Sequence, residues 1–339
     1  MAPGINVFVG ANGAGKTSIL EAVFLLSRAR SFRTTARDAL LQRGAPQLSV
    51  FAQLRALSAG PRKLGLGREG ARWQARVDGA GVNVAQLVRQ CAVVCFEPGS
   101  HALIAGPAEE RRRYLDWGVF HVEHDFLAHW QRYQRALKQR NSLLRAAPSS
   151  PEALFLPWEH ELSQAAQAID AQRQAYLDSL RPRLAESAGG LLAELGALDL
   201  RYKRGWPEDK DLAQQLQEQR GRDISRGHTS FGAHRADWSL GFEHAPLREH
   251  LSRGQEKLTA LACMLAQARH HADVAGEWPI VCLDDLSSEL DQEHQAAVVR
   301  QLIAVDAQVL ITGTELPQAL RTQPSCVFHV EQGSVTRLL

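Results

Sequence analysis

Long apolar runs are missing from this chain. No stretch approaches the roughly 20 residues that a membrane-spanning helix requires, and the opening Met-Ala-Pro-Gly lacks the basic-then-hydrophobic order of an export signal. A soluble, unexported, cytoplasmic protein is the expectation. Excess charge of one sign is missing too: lysine and arginine number 39 against 37 aspartates and glutamates. A globally basic coat for nucleic acid is thereby excluded, and any such contact must come from a local patch. Cysteine is scarce. Cys91, Cys95, Cys263, Cys282 and Cys326 form no Cys-x-x-Cys pair, which argues against structural zinc and suits a reducing compartment. Internal repeats and low-complexity tracts are absent as well. What the chain does have is apolar residues, 45% of 339 positions, enough for a large core in one composite unit that carries an inserted second domain.

The periodicities are local and readable. Ile5 to Val9 is a short apolar run, and Lys16 to Arg28 carries Ile19, Val23 and Leu26 at helical spacing, so strand, glycine-rich turn and helix are predicted. Leu48 to Val77 alternates with period two and is followed by Asp78-Gly79, which predicts an antiparallel meander with a turn there. Cys91 to Phe96 reads as a buried strand ended by Pro98-Gly99. Leu115, Val119, Val122, Phe126, Trp130, Tyr133, Leu137 and Leu144 recur at steps of three, four or seven and predict one long amphipathic helix over 109–145. The Pro/Ser stretch 146–151 breaks it. A second helix follows, with Leu162, Ile169, Tyr176 and Leu180 on its apolar face and a signal that fades by about Leu198, so the pair forms an antiparallel arm. A helix over 254–273, buried strands over 280–283 and 309–312, and a closing hairpin around Gln332-Gly333 complete the pattern.

Gly10-Ala11-Asn12-Gly13-Ala14-Gly15-Lys16-Thr17 matches G-x-x-x-x-G-K-[ST] between a strand and a helix, the context of a phosphate loop. Small residues let backbone N–H groups converge on phosphate oxygens, and the helix N-terminus adds partial positive charge. The expected ATP-binding set is Gly10 to Ser18, with Lys16 reaching the β- and γ-phosphates and the Thr17 hydroxyl on Mg²⁺. Pro279 to Leu283 is an apolar strand ending in Asp284-Asp285, at the strand end where open α/β sheets place ligands. Asp284 is expected to hold Mg²⁺ through its water shell and Asp285 to polarise the attacking water. The plain alternative is an acid pair that caps the next helix.

Leu251-Ser252-Arg253-Gly254-Gln255 opens a strongly helical run. Ser252 and Gln255 make an S-x-x-Q capping box, so an ordinary helix start is one reading. The pentapeptide is also similar to the Leu-Ser-Gly-Gly-Gln signature of ABC-type ATPases. That likeness implies that Ser252, Gly254 and Gln255 meet the γ-phosphate of ATP held by a second copy, and hence an ATP-dependent homodimer. Ser288-Glu-Leu-Asp291 looks like the D-loop of that superclass. Thr312 occupies its switch position, where transporter ATPases usually carry histidine.

Lys16 and Ser252 stand 236 positions apart, an interval that the helical arm fills. The chain resembles the RecF family of the ABC/SMC superclass over nearly its whole length. The segments that carry the likeness are 10–22, Arg30-Ser-Phe-Arg33, Arg111-Arg-Arg-Tyr-Leu-Asp-Trp-Gly118, Leu137-Lys-Gln-Arg-Asn141, Gly232-Ala-His-Arg-Ala-Asp237, Leu251 to Gln255 and Asp284 to Asp291. The fold expected is α/β, a P-loop ABC-type ATPase head of mostly parallel sheet plus antiparallel meander, with an inserted α-helical arm. Its divisions are 1–108 and 201–339 for the two parts of the head and 109–200 for the arm. The resemblance implies ATP and Mg²⁺ as cofactors and weak, DNA-stimulated hydrolysis. It also implies clamping of gapped or junction DNA and action with RecR and RecO in loading a recombinase. The sequence departs from the family in three places. Nine residues precede Gly10 where the family has more, which reads as a misassigned start or a truncation. Pro98-Gly99 stands for the usual Pro-Glu, and Gly232-Ala233-His234-Arg235 for Gly-Pro-His-Arg.

Two basic clusters are candidates for DNA. The span 111–145 holds eight basic and three acidic residues, with Arg132, Arg135 and Lys138 central to it, and Arg30, Arg33 and Arg37 follow the first helix. A solvated helix face and helix-dipole compensation explain the two clusters equally well. Two other functions stay open, an ABC-type ATPase driving another partner and a truncated, non-catalytic scaffold. The long arm and Thr312 argue against the first of these.

Overall fold

The computed structural model describes residues 1–34, 36–41, 44–55, 60–70, 72–146 and 151–338, without the side chains of Arg37 and Glu69. The chain runs β1 (Ile5–Val9), α1 (Lys16–Arg28), β2 (Gln47–Leu54), β3 (Arg62–Glu69), β4 (Arg72–Val77), β5 (Ala80–Val82), α2 (Val84–Arg89) and β6 (Val93–Phe96). It continues through α3 (Ala102–Ala105), α4 (Ala108–Val122), α5 (Phe126–Ala146), α6 (Leu156–Leu191), β7 (Leu198–Lys203), α7 (Leu212–Arg226) and β8 (Asp237–Phe242). The last elements are α8 (Arg253–Ala275), β9 (Ile280–Leu283), α9 (Leu286–Glu289), α10 (Gln292–Ile303), β10 (Val309–Gly313), β11 (Cys326–Glu331) and β12 (Ser334–Arg337). They fall into two compact units, residues 1–100 with 257–339, and residues 101–256.

In the first unit a six-stranded sheet has the order β12-β11-β1-β10-β9-β6, parallel except for β12. Its inner strands are continuous apolar runs because both faces are covered; β10 is buried at every position. The meander β2-β3-β4-β5 forms a separate antiparallel sheet. Helix α1 supplies Leu20, Phe24, Leu25 and Leu26 to a core shared with Phe8, Cys95, Cys282 and Leu310 of the parallel sheet and with Leu64, Leu66 and Ala75 of the meander. The turns Asp78-Gly79 and Gln332-Gly333 both adopt positive φ at each residue, the I′ geometry that matches strand twist in a two-residue hairpin. The five cysteines are buried and free.

The second unit differs from expectation in three respects. The helix foreseen over 109–145 is two helices, α4 and α5, separated by Glu123, His124 and Asp125, with Glu123 extended at φ −108 and ψ 115. Apolar periodicity cannot register this break, because the step from Val122 to Phe126 is itself four residues and keeps both apolar faces in phase. The second helix is a single 36-residue α6 with Pro182 inside it. The insertion also runs beyond residue 200: it includes α7 and the hairpin of β7 with β8. The physical tie is ionic. Arg140 of α5, wholly buried, donates to Glu159 of α6 (3.1 Å), to Asp223 of α7 (2.7 Å), to Thr229 Oγ1 (2.9 Å) and to the Leu216 carbonyl (3.0 Å). The Arg220 guanidinium donates to the same Glu159 (2.6 Å). Helices α5 and α6 run antiparallel, with Arg140 beside Glu159 and Arg132 beside Glu161. The tip, residues 147–150, lies outside the described residues. Among the described residues no helix is long and apolar enough to cross a membrane.

Candidate nucleotide site

The strand order sets the geometry of the first unit's site. β10 lies between β1 and β9, so the carboxyl ends of the phosphate-loop strand, the Thr312 strand and the acid-pair strand are adjacent, with Phe8 opposite Thr312 and Leu283 opposite Ile311. After β1 the chain loops through residues 10–15 and enters α1 at Lys16. Two glycines are required there. A Cβ at Gly10 would fall on the Val330 carbonyl oxygen, and Gly15 caps the helix at φ 106 and ψ 6, a left-handed conformation that only glycine adopts freely. The Gly333 N–H of the closing hairpin donates to the Ala14 carbonyl (2.9 Å) and ties the loop to its neighbour.

Lys16 is 8% exposed and curls back over its own loop, its ammonium donating to the carbonyls of Gly10 and Ala11, both at 2.9 Å. Thr17 Oγ1 donates to Asp284 Oδ1 at 3.0 Å, across 267 positions of sequence. The Thr312 hydroxyl, buried, donates to the same oxygen at 2.6 Å and accepts the Asp285 backbone N–H at 2.9 Å. Asp284 is therefore a buried carboxylate with two hydroxyl donors on one oxygen. Asp285 sits at φ 53 and ψ 43, a left-handed conformation that costs a non-glycine residue on the order of 1 kcal/mol or more and persists where the surroundings fix it. Here the fixing contacts are the Thr312 hydroxyl on its N–H and the Ser288 and Glu289 N–H groups on its carbonyl. Its carboxylate makes no hydrogen bond or ion pair among the described residues.

This donor set fits a nucleoside triphosphate with a divalent cation. The glycine-lined loop leaves room for phosphate oxygens, Lys16 has an ammonium held by two neutral carbonyls, and Thr17 with Asp284 offers two oxygens to a hard cation. Among the described residues no group of three or more His, Cys, Asp or Glu side chains could hold a metal ion. Glu97 is a further acid at this edge, one that no motif in the sequence singles out. It follows β6 directly, next to the Asp284 N–H that donates to the Phe96 carbonyl (2.8 Å), and its own carboxylate accepts the Gly99 N–H at 2.6 Å. The apolar run ending at Phe96 gave the signal, since an acid just past a buried strand stands at the same carboxyl edge as Asp284.

The signature residues belong to the second unit, at the start of α8. Ser252 Oγ accepts the Gln255 N–H (3.3 Å) and Gln255 Oε1 accepts the Ser252 N–H (3.0 Å), so the capping box forms in full. Ser252, Arg253 and Gly254 are exposed, which leaves the helix tip open to another molecule. In the first unit, Asp291 caps α10 through the His294 N–H (3.0 Å) and Ser288 is exposed. The Lys257 ammonium pairs with Glu289 at 2.8 Å.

The candidate DNA residues separate into spent and unspent charges. In the span 111–145, Arg111 is bidentate on Asp237 (2.7 and 3.0 Å), Arg112 donates to the Ala236 carbonyl (2.8 Å), Arg113 pairs with Glu109 and Glu110, and Arg140 is buried. Arg132 is bidentate on Glu161 at 2.7 and 2.9 Å. Arg135, Lys138 and Arg145 remain exposed on one face of α5, in no ion pair among the described residues. In the other cluster, Arg33 lies 3.6 Å from Glu21, Ser31 donates to the same Glu21, and Phe32 meets Phe24 edge-on. Arg30 is exposed, and the Arg37 side chain lies outside the described groups.

The model of the RecF/RecN/SMC N terminal domain family matches residues 1–335. The chain is 48% identical to the DNA replication and repair protein RecF of Stenotrophomonas maltophilia (strain R551-3), over 98% of this chain and 93% of that protein. It is 40% identical to the protein of the same name from Pseudomonas putida (strain GB-1), over 99% and 92%. A solved structure of the recombination mediator protein RecF with ATP superposes at a TM-score of 0.91, with 24% identity, over all of this chain and 92% of that one. An Smc head bound to the winged-helix domain of ScpA matches at 0.56 with 14% identity, over 99% of this chain and 90% of that one. Both structures share the fold, a parallel sheet with antiparallel strands. With the family model spanning nearly its whole length and RecF relatives 40% to 48% identical over almost all of it, the chain belongs to the RecF family.

Proposed function

We propose that this chain is an ATPase of recombinational DNA repair and replication restart, in which two copies close on ATP, hold gapped or junction DNA and let go after hydrolysis. The observation that carries the reading is the joined set of Lys16, Thr17, Asp284, Asp285 and Thr312 on three adjacent strand ends. It is supported by relatives named as DNA replication and repair proteins and by a structural neighbour described as a recombination mediator with ATP in the RecFOR pathway. RecR and RecO are the protein partners that this reading brings with it, and the cytoplasm is its place of action.

ATP with Mg²⁺ supplies the transferable phosphoryl group and the charge that neutralises its oxygens. Lys16 exchanges two loop carbonyls for phosphate oxygens. Thr17 and Asp284 would hold the cation, while Asp285, whose carboxylate has no partner among the described residues, orients the attacking water. The exposed Ser252–Gly254 helix tip presents its N–H groups and dipole to a phosphate on a second copy. Arg135, Lys138 and Arg145 offer DNA phosphates a short basic stripe along the arm.

Thr312 is a positioning residue in this scheme. Thr312→Val removes a donor from Asp284 and leaves the Asp285 N–H without its acceptor. At roughly 1.5–3 kcal/mol for a hydrogen bond to a charged group, the Mg²⁺ needed for half-maximal turnover should rise about tenfold or more, with Mg²⁺-free nucleotide affinity unchanged. Thr312→Ser should restore it. A valine variant with the wild-type Mg²⁺ requirement would remove Thr312 from this role.

Sedimentation with ATP, Mg²⁺ and a gapped duplex tests the whole reading. The expected species is a dimer on DNA that disappears without nucleotide. Ser252→Arg should bind ATP as a monomer. A protein that stays monomeric at saturating nucleotide, or a Ser252→Arg variant that still dimerises, overturns the two-copy arrangement.

A further inference from the structure

One face of the meander carries exposed side chains, Ser49, Phe51, Lys63, Arg72, Gln74 and Arg76 among the described residues. Leu48, Val50, Trp73 and Val77 point into the core, so alternation sends the intervening side chains outward. In register across three strands, Phe51 stands opposite Gly65 and Gly65 opposite Arg76; one pair along, Ser49 stands opposite Gly67 and Gly67 opposite Gln74. Phe51 is 70% exposed, more than any other large apolar side chain among the described residues.

The two glycines are not explained by the fold. Neither has a positive φ, and a Cβ at Gly65 would meet nothing nearer than Arg76 Cβ at 3.7 Å, while one at Gly67 would meet nothing nearer than the Leu48 carbonyl oxygen at 3.8 Å. Both are ordinary van der Waals distances. Glycine inside a strand weakens it, and where packing does not demand it, glycine marks a place where another molecule comes close to the backbone. Here it leaves a flat floor one strand wide between an aromatic ring on one side and a guanidinium on the other. Lys63, Arg72 and Arg76 are exposed around this floor and form no ion pair among the described residues.

An exposed ring, a bare backbone floor and exposed cations suit a polyanion that carries unstacked aromatic groups. We infer that the outer face of the meander is a platform for single-stranded DNA: a base stacks on Phe51, Arg76 takes a phosphate, and the strand lies over Gly65 and Gly67. A duplex offers no free base face to Phe51, so the platform distinguishes the single-stranded part of a gap from its flanks. The inference rests on the proposed action at gapped DNA and adds the surface and the strand that it reads.

The test is fluorescence anisotropy of a labelled oligothymidylate and of a duplex of equal length, using the full chain with ATP and Mg²⁺. Phe51→Ala should weaken oligothymidylate binding about tenfold. Arg76→Gln should reduce the salt slope of log K by about 0.7, one phosphate contact on a single strand. Gly65→Thr is the sharpest arm. A Cβ at this position meets only ordinary contact distances and threonine favours a strand, so the melting temperature should hold or rise while oligothymidylate affinity falls, a combination that a purely structural glycine would not give. Duplex affinity should be unchanged in all three. Wild-type oligothymidylate binding in the three variants, or a wild-type protein that binds duplex alone, overturns the platform and leaves the proposed function standing. Binding to neither probe overturns both.

Discussion

Lys16→Ala is expected to abolish the nucleotide response of this protein. The charge of Lys16 is held over the loop by neutral carbonyls, and its loss leaves phosphate charge to backbone N–H groups and a helix dipole. A ligand at a hundred times its Kd stabilises the folded state by about 2.7 kcal/mol, so the ATP-dependent rise in melting temperature should vanish. The melting temperature without nucleotide should stay near the wild type, because only two hydrogen bonds to the loop are removed. Lys16→Arg should fail as well, since a planar guanidinium does not fit the fold-back over Gly10 and Ala11. A nucleotide-dependent shift that survives in Lys16→Ala would show that binding does not run through this loop.

Arg140→Ala should have the largest effect on stability. Arg140 joins α5, α6 and α7 from a position with no exposed surface, and its removal leaves Glu159 and Asp223 as buried charges, the first still held by Arg220 and the second without a cation among the described residues. Breaking a buried ion pair from one side costs about 3–5 kcal/mol. Urea unfolding should show that loss, and Arg140→Met combined with Asp223→Asn should recover part of it because no naked charge remains. A change below about 1 kcal/mol in Arg140→Ala would show that water or neighbouring groups carry the charge instead. The prediction also gives the Leu137 to Asn141 segment a physical meaning. Asn141 Oδ1 accepts both the Thr229 N–H (2.8 Å) and its hydroxyl (2.7 Å), so this segment fastens the inserted unit to itself.

The same holds for two other segments that carry the family likeness. Arg111 grips Asp237, and Asp116 accepts both nitrogens of the buried Arg173 (2.8 and 3.0 Å). His234, which burial pushes down to about 4, is neutral. Its Nδ1 accepts the Tyr133 hydroxyl at 2.5 Å, and its Nε2 donates to the Thr229 carbonyl at 3.1 Å. These motifs hold the second unit together. Motif spelling alone does not decide whether their arginines face DNA.

By itself the sequence determined what depends on neighbours in the chain. The strand-loop-helix at 5–28, the buried strands over 280–283 and 309–312, the hairpin turns and the S-x-x-Q cap are set by spacing within a few residues, where side-chain periodicity and turn chemistry act directly. Tertiary structure decided which distant groups meet and which charges are left over. It brought the Thr17 hydroxyl to Asp284, broke the arm helix at Glu123, carried the inserted unit on to residue 256, and consumed Arg111, Arg112, Arg113, Arg132 and Arg140 while leaving Arg135, Lys138 and Arg145 in solvent. The reason is that a guanidinium carries the same charge wherever it stands in the sequence. Whether it serves a carboxylate inside the protein or a phosphate outside is fixed only when folding brings a partner within hydrogen-bonding reach.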